Sequence, residues 1–353
     1  FPVPFAPGLE FNSPVHGNWN IVHTGMQVPE AIQIYVCADN CMRGVVLTAA
    51  EMNAADRFSF VIVEEQHVLN GNLEDITIEG VTDVLNKRGD HPKAVLLFTV
   101  CLHHFVGSNL NYIYDELERR FPDICFIRCY MDPIMQKHGL TPDQKLRKAM
   151  YDPLPECEPD AKTVSVFGSD FALDESSDIK RLLRRYGYTV RELPTCETWQ
   201  DLLDMSKGRL FLDIYPAGKY GMETHARRLA REHLYLPGSF DYEEIEQQLK
   251  QLTDALGLPE VSREALDVER SACEEVLAKA KALIKDMPIT LDYLYHPRPL
   301  GLAKLLLTHG FNVKAVYLDG ISPEEKAAFD WLQEHVPELE LIATIQVKMR
   351  VLP

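Results

Sequence analysis

With 353 residues, the chain exceeds the roughly 250 to 300 at which one hydrophobic core stops growing, so two or three domains are expected. Apolar residues make up 46% and charged residues 25%, with 19 glycines and 22 prolines, which excludes a mainly disordered or low-complexity chain. Lys+Arg 36 against Asp+Glu 53 leaves a net charge of -17, a field that repels phosphate backbones and argues against nucleic acid and anionic membrane as partners.

No apolar run approaches the ~20 residues of a bilayer span, and the first residues lack the charged and apolar regions of a secretory signal, so the cytoplasm is the expected location. Eight cysteines stand at positions 37, 41, 101, 125, 129, 157, 196 and 273. In a large chain, metal binding or reactive chemistry suits them better than a disulfide framework.

In chain order, a short apolar strand ends at Cys37, and Phe58 to Val63 reads as the next strand. A helical pattern from Leu73 to Lys87, a strand from Ala94 to Val100, a helix from Leu110 to Phe121 and a strand from Ile124 to Tyr130 follow. This alternation is the mark of βαβ units around a parallel sheet covered on both faces. The stretch 150–162, rich in proline and acidic residues, reads as a linker. The pattern restarts with a strand at Thr163 to Phe167, an amphipathic helix at Asp178 to Tyr186 with Gly187 as its cap, and strands at Thr189 to Leu193 and Arg209 to Ile214. Helices are expected around Gly221 to Arg231, at Glu243 to Leu256 and at Arg263 to Lys285. A third start then runs through Ile289 to Tyr295, Leu300 to Leu307, Gly310 and Val313 to Leu318. The expected fold class is α/β, with three Rossmann-like parallel-sheet units. Their expected bounds are 1–157 for the domain with the cluster cysteines, 158–262 for the second and 263–353 for the third, which looks truncated at its end.

Two places carry possible metal chemistry. Cys37 and Cys41, in IYVCADNCMRGV, flank a strand-to-helix turn that can aim two sulfurs at one iron–sulfur cluster; two buried structural thiols are the plainer alternative. Cys101 immediately follows the strand Ala94 to Val100, at the carboxyl end where ligands of open parallel sheets collect. His103 and His104 beside it read more simply as a surface turn pair than as ligands. Cys125 and Cys129 share one face of a strand and suit core packing, while Asp132, Gln136 and His138 are cavity candidates at the next strand end. His16, Trp19 and His23 suit either a cavity wall or an arm packed on a second subunit. Cys157, Cys196 and Cys273 have no partner at metal-ligand spacing. No G-x-G-x-x-G after a strand, no G-x-x-x-x-G-K-[ST] and no H-E-x-x-H occurs, so nucleotide binding and zinc hydrolysis lack their marks.

The segments GLEFNSPVHGNW, CADNCMRG, NGNLEDI and FTVCLHHFVGSNL resemble, in order and spacing, the amino-terminal domain of the nitrogenase component 1 family. The segments FGSDFALDESSDIKRLLRRYGYTV and PLGLAKLLLTHGFNV resemble its second and third α/β units. Of the family's three cluster cysteines, Cys41 and Cys101 stand at the second and third, and Ser13 occupies the first; Cys37, at a glycine of the family turn, is placed to supply the missing sulfur. Tyr215, Pro216 and Ala217 follow the Arg209 to Ile214 strand where the family's active-site cofactor has its thiolate ligand. The resemblance implies an oxidoreductase subunit holding a 4Fe-4S cluster on Cys37, Cys41 and Cys101, shared with a second component 1-type subunit, identical or homologous. It also implies a P-loop iron–sulfur reductase that alone uses ATP, and a small-molecule substrate. A scaffold for metal-cofactor assembly, or a subunit that only supports an active partner, is the competing implication. A metal-free small-molecule binding protein of the same fold is a third.

Overall fold

Ala31–Cys37 (AIQIYVC) and Ala94–Val100 (AVLLFTV) are buried at every position. Strands buried along their whole length occur where helices cover both faces of a parallel sheet. The computed structural model describes residues 21–132, 140–318 and 320–343. The chain divides into two compact units, one of Pro14–Tyr235 and one built on Leu236–Pro353.

In the first unit the described elements begin with α1 (Ile21–Gly25), β1 (Ala31–Cys37), α2 (Asp39–Glu51), β2 (Phe58–Ile62), α3 (Glu65–Leu69) and α4 (Leu73–Lys87). They continue with β3 (Ala94–Val100), α5 (Cys101–Phe105), α6 (Leu110–Arg120), β4 (Cys125–Met131) and α7 (Pro142–Met150). After these come β5 (Asp160–Phe167), α8 (Asp178–Arg185), β6 (Thr189–Glu192), α9 (Trp199–Asp204), β7 (Gly208–Asp213), α10 (Lys219–Arg228) and β8 (Glu232–Tyr235). The strands form two four-stranded sheets, ordered β2-β1-β3-β4 and β6-β5-β7-β8, with every pairing parallel.

Parallel pairing sends all the strand ends of a sheet to one edge, and here that edge gathers the cysteine-bearing turns. β1 lies between β2 and β3, with Cys37 level with Ile62 and Tyr35 level with Phe98. The Tyr35 and Phe98 rings stack with centroids 4.3 Å apart, and the Tyr35 hydroxyl donates to Gln33 Oε1 at 2.7 Å, so both polar groups are satisfied inside the sheet. On the other face α4 approaches β2 closely because position 80 is glycine. A Cβ there would lie 2.3 Å from Val61 Cγ1, on a β-branched side chain with little freedom to move. Gly80→Ala is therefore expected to destabilise the first unit by about 1–3 kcal/mol in urea unfolding, despite alanine's better helix propensity.

α7 and β8 are among the elements that were not foreseen. α7 has a complete N-terminal capping box, in which the Thr141 hydroxyl accepts from Gln144 N and Gln144 Oε1 accepts from Thr141 N, with Pro142 in its first turn. β8 completes the second sheet. The start of the stretch read as a linker is packed: Tyr151 and Leu154 are buried in one apolar cluster that also takes Phe98 from the first sheet and Phe167 and Phe211 from the second, whereas 155–162 is exposed apart from the half-buried Cys157.

The second unit contains α11 (Tyr242–Leu256), α12 (Arg263–Ile284), β9 (Pro288–Asp292), α13 (Pro299–Thr308), β10 (Asn312–Leu318), α14 (Lys326–His335) and β11 (Glu340–Ala343). Its sheet is parallel, ordered β11-β10-β9. α11 starts on Asp241, whose carboxylate accepts from Glu243 N and Glu244 N, and stops at Gly257 in the left-handed conformation. The expected α/β class with three parallel-sheet units is present.

Candidate functional site

Cys37 is the last residue of β1, and the chain turns directly into α2, where Cys41 lies in the first helical turn with its N–H bonded to Ala38 O at 2.9 Å. Cys101 is the first residue of α5, directly after β3. Carrying the β1–β3 register two residues beyond Tyr35 and Phe98 sets Cys37 level with Val100, so all three cysteines belong to one edge of the sheet. Their surroundings differ. Cys37 is fully buried in the apolar cluster, and burial, then the neighbouring Cys41 and Asp39, push its thiol up to about 12, so it is held protonated. Cys41 is exposed and Cys101 half-buried. Among the described residues, no three His, Cys, Asp or Glu side chains are grouped in a way that would hold a metal ion.

The same edge exposes apolar side chains. Ile62 ends β2, Leu69 ends α3 and is 77% exposed, and Phe105 and Val106 end α5, with Phe105 60% exposed. Large apolar groups clustered at one edge of a soluble protein mark an interaction surface.

The paired histidines part company. His103 is buried: its Nδ1 accepts from Val100 N at 3.2 Å, its Nε2 meets the Thr77 hydroxyl at 3.2 Å, and burial lowers its pKa to about 4. It is a neutral strut between α4 and the β3–α5 turn, not a surface residue. His104 is one-third exposed, and its Nε2 lies 2.8 Å from Asp132 Oδ2, a carboxylate that is itself buried at the end of β4. That carboxylate favours the tautomer with the proton on Nε2. Cys129 is buried and Cys125 packs against the same cluster, both as expected for core thiols, and burial pushes both thiols up. His23 is exposed on α1. Ser13, His16, Trp19, Gln136 and His138 lie outside the described residues.

A second group of charges, missed in the sequence, sits at the carboxyl ends of β5 and β7. Arg147 of α7 is fully buried; its Nε donates to Asp143 Oδ2 at 3.0 Å, one terminal nitrogen to Gly168 O at 2.8 Å and the other to Asp170 Oδ1 at 2.7 Å. Burial works against its charge, but the two carboxylates outweigh it and hold its pKa up. Asp213 ends β7, fully buried; Oδ1 accepts from Tyr215 N at 3.1 Å, and Oδ2 has no hydrogen-bond partner among the described residues. Gly168 at φ +89° and Gly218 let the backbone close over this carboxyl: a Cβ on Gly168 would lie 2.2 Å from Oδ1. Burial raises the Asp213 pKa to about 7. A carboxyl raised in this way contributes its stability below pH ~4 and loses it as pH rises through about 7. Stability relative to Asp213→Asn is expected to fall by at least about 2 kcal/mol between pH 5 and 8, as read from urea midpoints. A possible signal was the apolar run LFL closed by Asp at a strand end, together with Asp143 and Arg147 one helical turn apart.

Comparison with known proteins decides the family. The family model described as nitrogenase component 1 type oxidoreductase matches residues 42–350. The chain belongs to that family. The match takes in Cys101 and begins one residue after Cys41. Among solved structures, "Nitrogenase Cp1 at pH 6.5" is similar over 97% of this chain and 79% of its own, at 12% identity and a TM-score of 0.70. "Nitrogenase Cp1 at pH 5" is similar over 97% and 77%, at 12% identity and a TM-score of 0.61. At that identity the likeness concerns the fold alone. No curated protein matches the chain. The nitrogenase component 1-type fold thus provides the frame for an oxidoreductase-like subunit, and no described helix is long and apolar enough to cross a membrane.

Proposed function

We propose that this chain is a nitrogenase-like oxidoreductase subunit that holds an iron–sulfur cluster at an interface with a second component 1-type subunit. In this reading it receives low-potential electrons from an ATP-dependent iron–sulfur reductase and passes them to a small-molecule substrate. The observation that supports it best is the carboxyl edge of the first sheet. Cys41, exposed, and Cys101, half-buried, lie in the turns that follow adjacent strands, with the exposed apolar side chains of Ile62, Leu69, Phe105 and Val106 in the segments around them.

The donor set fits a site completed by another chain better than a closed four-cysteine site. Cys41 and Cys101 are the ready ligands. Cys37 becomes the third only by giving up the proton that its burial stabilises, as thiols do on binding metal. A bound cluster would supply one-electron transfer at a potential set by burial and by hydrogen bonds to its sulfurs. The residues of this chain then have separate tasks. The first turn of the thirteen-residue α2 carries Cys41. The apolar rim, once covered, excludes water and lowers the local dielectric. His103 fixes the turn that carries Cys101.

Anaerobic purification followed by iron and sulfide analysis tests the proposal. A brown protein with iron and sulfide in equal amounts is expected; a colourless, iron-free protein from a preparation with intact thiols overturns it. The run Tyr215, Pro216 and Ala217, where the resemblance would put the family's cofactor thiolate, favours as second reading a scaffold or a supporting subunit of the same fold. Turnover with an ATP-driven reductase separates the two readings.

A further inference from the structure

α12 is 22 residues long, yet none of its residues is buried. One side is held to its own unit: Leu266, Leu277 and Ile284 are half-buried there, and Glu274 accepts from the Tyr242 hydroxyl at 2.9 Å and meets His309 Nε2 at 3.0 Å. Another side carries Val268, Ala272, Val276, Lys279 and Leu283, all exposed, with the half-buried Ala265 at its start, and their spacing of three and four residues puts them in one stripe. Its apolar members stand far out into solvent, Val268 at 67%, Val276 at 63% and Leu283 at 82%. A helix whose outer stripe has coiled-coil spacing, on a chain with a net charge of -17, does not expose such residues for solubility.

The charges along the helix identify the occupant. Residues 263–275 carry five acidic and two basic side chains, a net of -3, whereas residues 276–285 carry three lysines and no acid, a net of +3. A helix acidic in one half and basic in the other is the electrostatic complement of itself turned end for end. We infer that the outer stripe of α12 is a self-association surface, pairing antiparallel with α12 of a second copy of this chain about a two-fold axis. With that axis level with residue 274, each large side chain meets a small one: Leu283 faces Ala265, Val276 faces Ala272 and Val268 faces Ala280, while Glu269 faces Lys279. Large-against-small alternation lets two helices approach to the 8–10 Å of close packing, and a two-fold axis uses every contact twice. α12 shares no element with the cysteine-bearing edge, so the inference does not rest on the cluster.

Sedimentation equilibrium on the full-length protein tests it. Val276→Glu with Leu283→Glu places four carboxylates in the pairing face and is expected to weaken self-association by more than about 100-fold. The protein should fall by one assembly step, from dimer to monomer, or from tetramer to dimer where the cysteine-bearing edge also pairs. Lys279→Glu alone weakens association by about tenfold through two Glu–Glu contacts, and adding Glu269→Lys to the same chain restores it. That rescue, with unchanged circular dichroism, separates pairing from misfolding. A short bis-maleimide should also link Cys273, exposed one residue from the axis level, to Cys273 of the second copy, as read from the linked peptide. A wild-type protein monomeric at all concentrations, or assembly unmoved by Val276→Glu with Leu283→Glu, overturns the inference. Failure of Glu269→Lys to rescue Lys279→Glu overturns the antiparallel register. Loss of assembly from Phe105→Glu alone, with the α12 variants unchanged, assigns self-association to the cysteine-bearing edge instead.

Discussion

Anaerobically purified Cys101→Ser and Cys41→Ser proteins are each expected to retain less than about a tenth of the wild-type iron and sulfide, with the folded state intact. Cys41 is exposed and Cys101 half-buried at the turns of the sheet edge, so serine in their place removes a ligand without opening a cavity in the core. Cys37→Ala should behave differently. Its sulfur is buried in the apolar cluster and its proton is held to about pH 12, so part of any bond to iron is offset by the free energy of removing that proton. A smaller loss of iron is expected, with a stability loss of about 1 kcal/mol from the vacated space. Iron content and urea midpoints measured together distinguish these roles. Equal and complete iron loss in all three variants would make Cys37 a full ligand, and unchanged iron in Cys41→Ser and Cys101→Ser would remove this edge from the proposal.

Arg147→Leu is expected to destabilise the first unit by about 3–5 kcal/mol, measured by urea unfolding at pH 7, because it takes the cation from the fully buried Asp143 and leaves, among the described residues, the Thr24 hydroxyl at 3.1 Å. The loss exceeds that of a surface ion pair because Arg147 also holds the β5 turn through Gly168 O and ties Asp170 to α7. Arg147→Leu combined with Asp143→Leu should recover more than half of that loss, since removing both buried charges removes the desolvation cost that the single variant exposes. No recovery would show that the hydrogen bonds to Gly168 and Asp170, not the Asp143 pair, carry the stability.

The alternation of apolar strand runs with amphipathic helices was sufficient by itself to establish the parallel α/β class. β3 and α4 fall at the bounds read from periodicity, because both faces of a covered parallel strand must be apolar and a covering helix must present a 3.6-residue stripe. The strand-end positions of Cys37 and Cys101 were legible for the same reason, since a strand's carboxyl end is a local property. What depended on three-dimensional packing was not. Whether a thiol beside a turn faces core or solvent is decided by the helix that covers it, so Cys37 and Cys41, four residues apart, end with one buried and one exposed. The histidines 103 and 104 diverge because Thr77 and Asp132 approach from distant segments. Arg147 and Asp213 gain their chemistry from burial between elements far apart in the chain. Periodicity records which side of an element is apolar, but charge, protonation and exposure depend on which other element comes to lie against it.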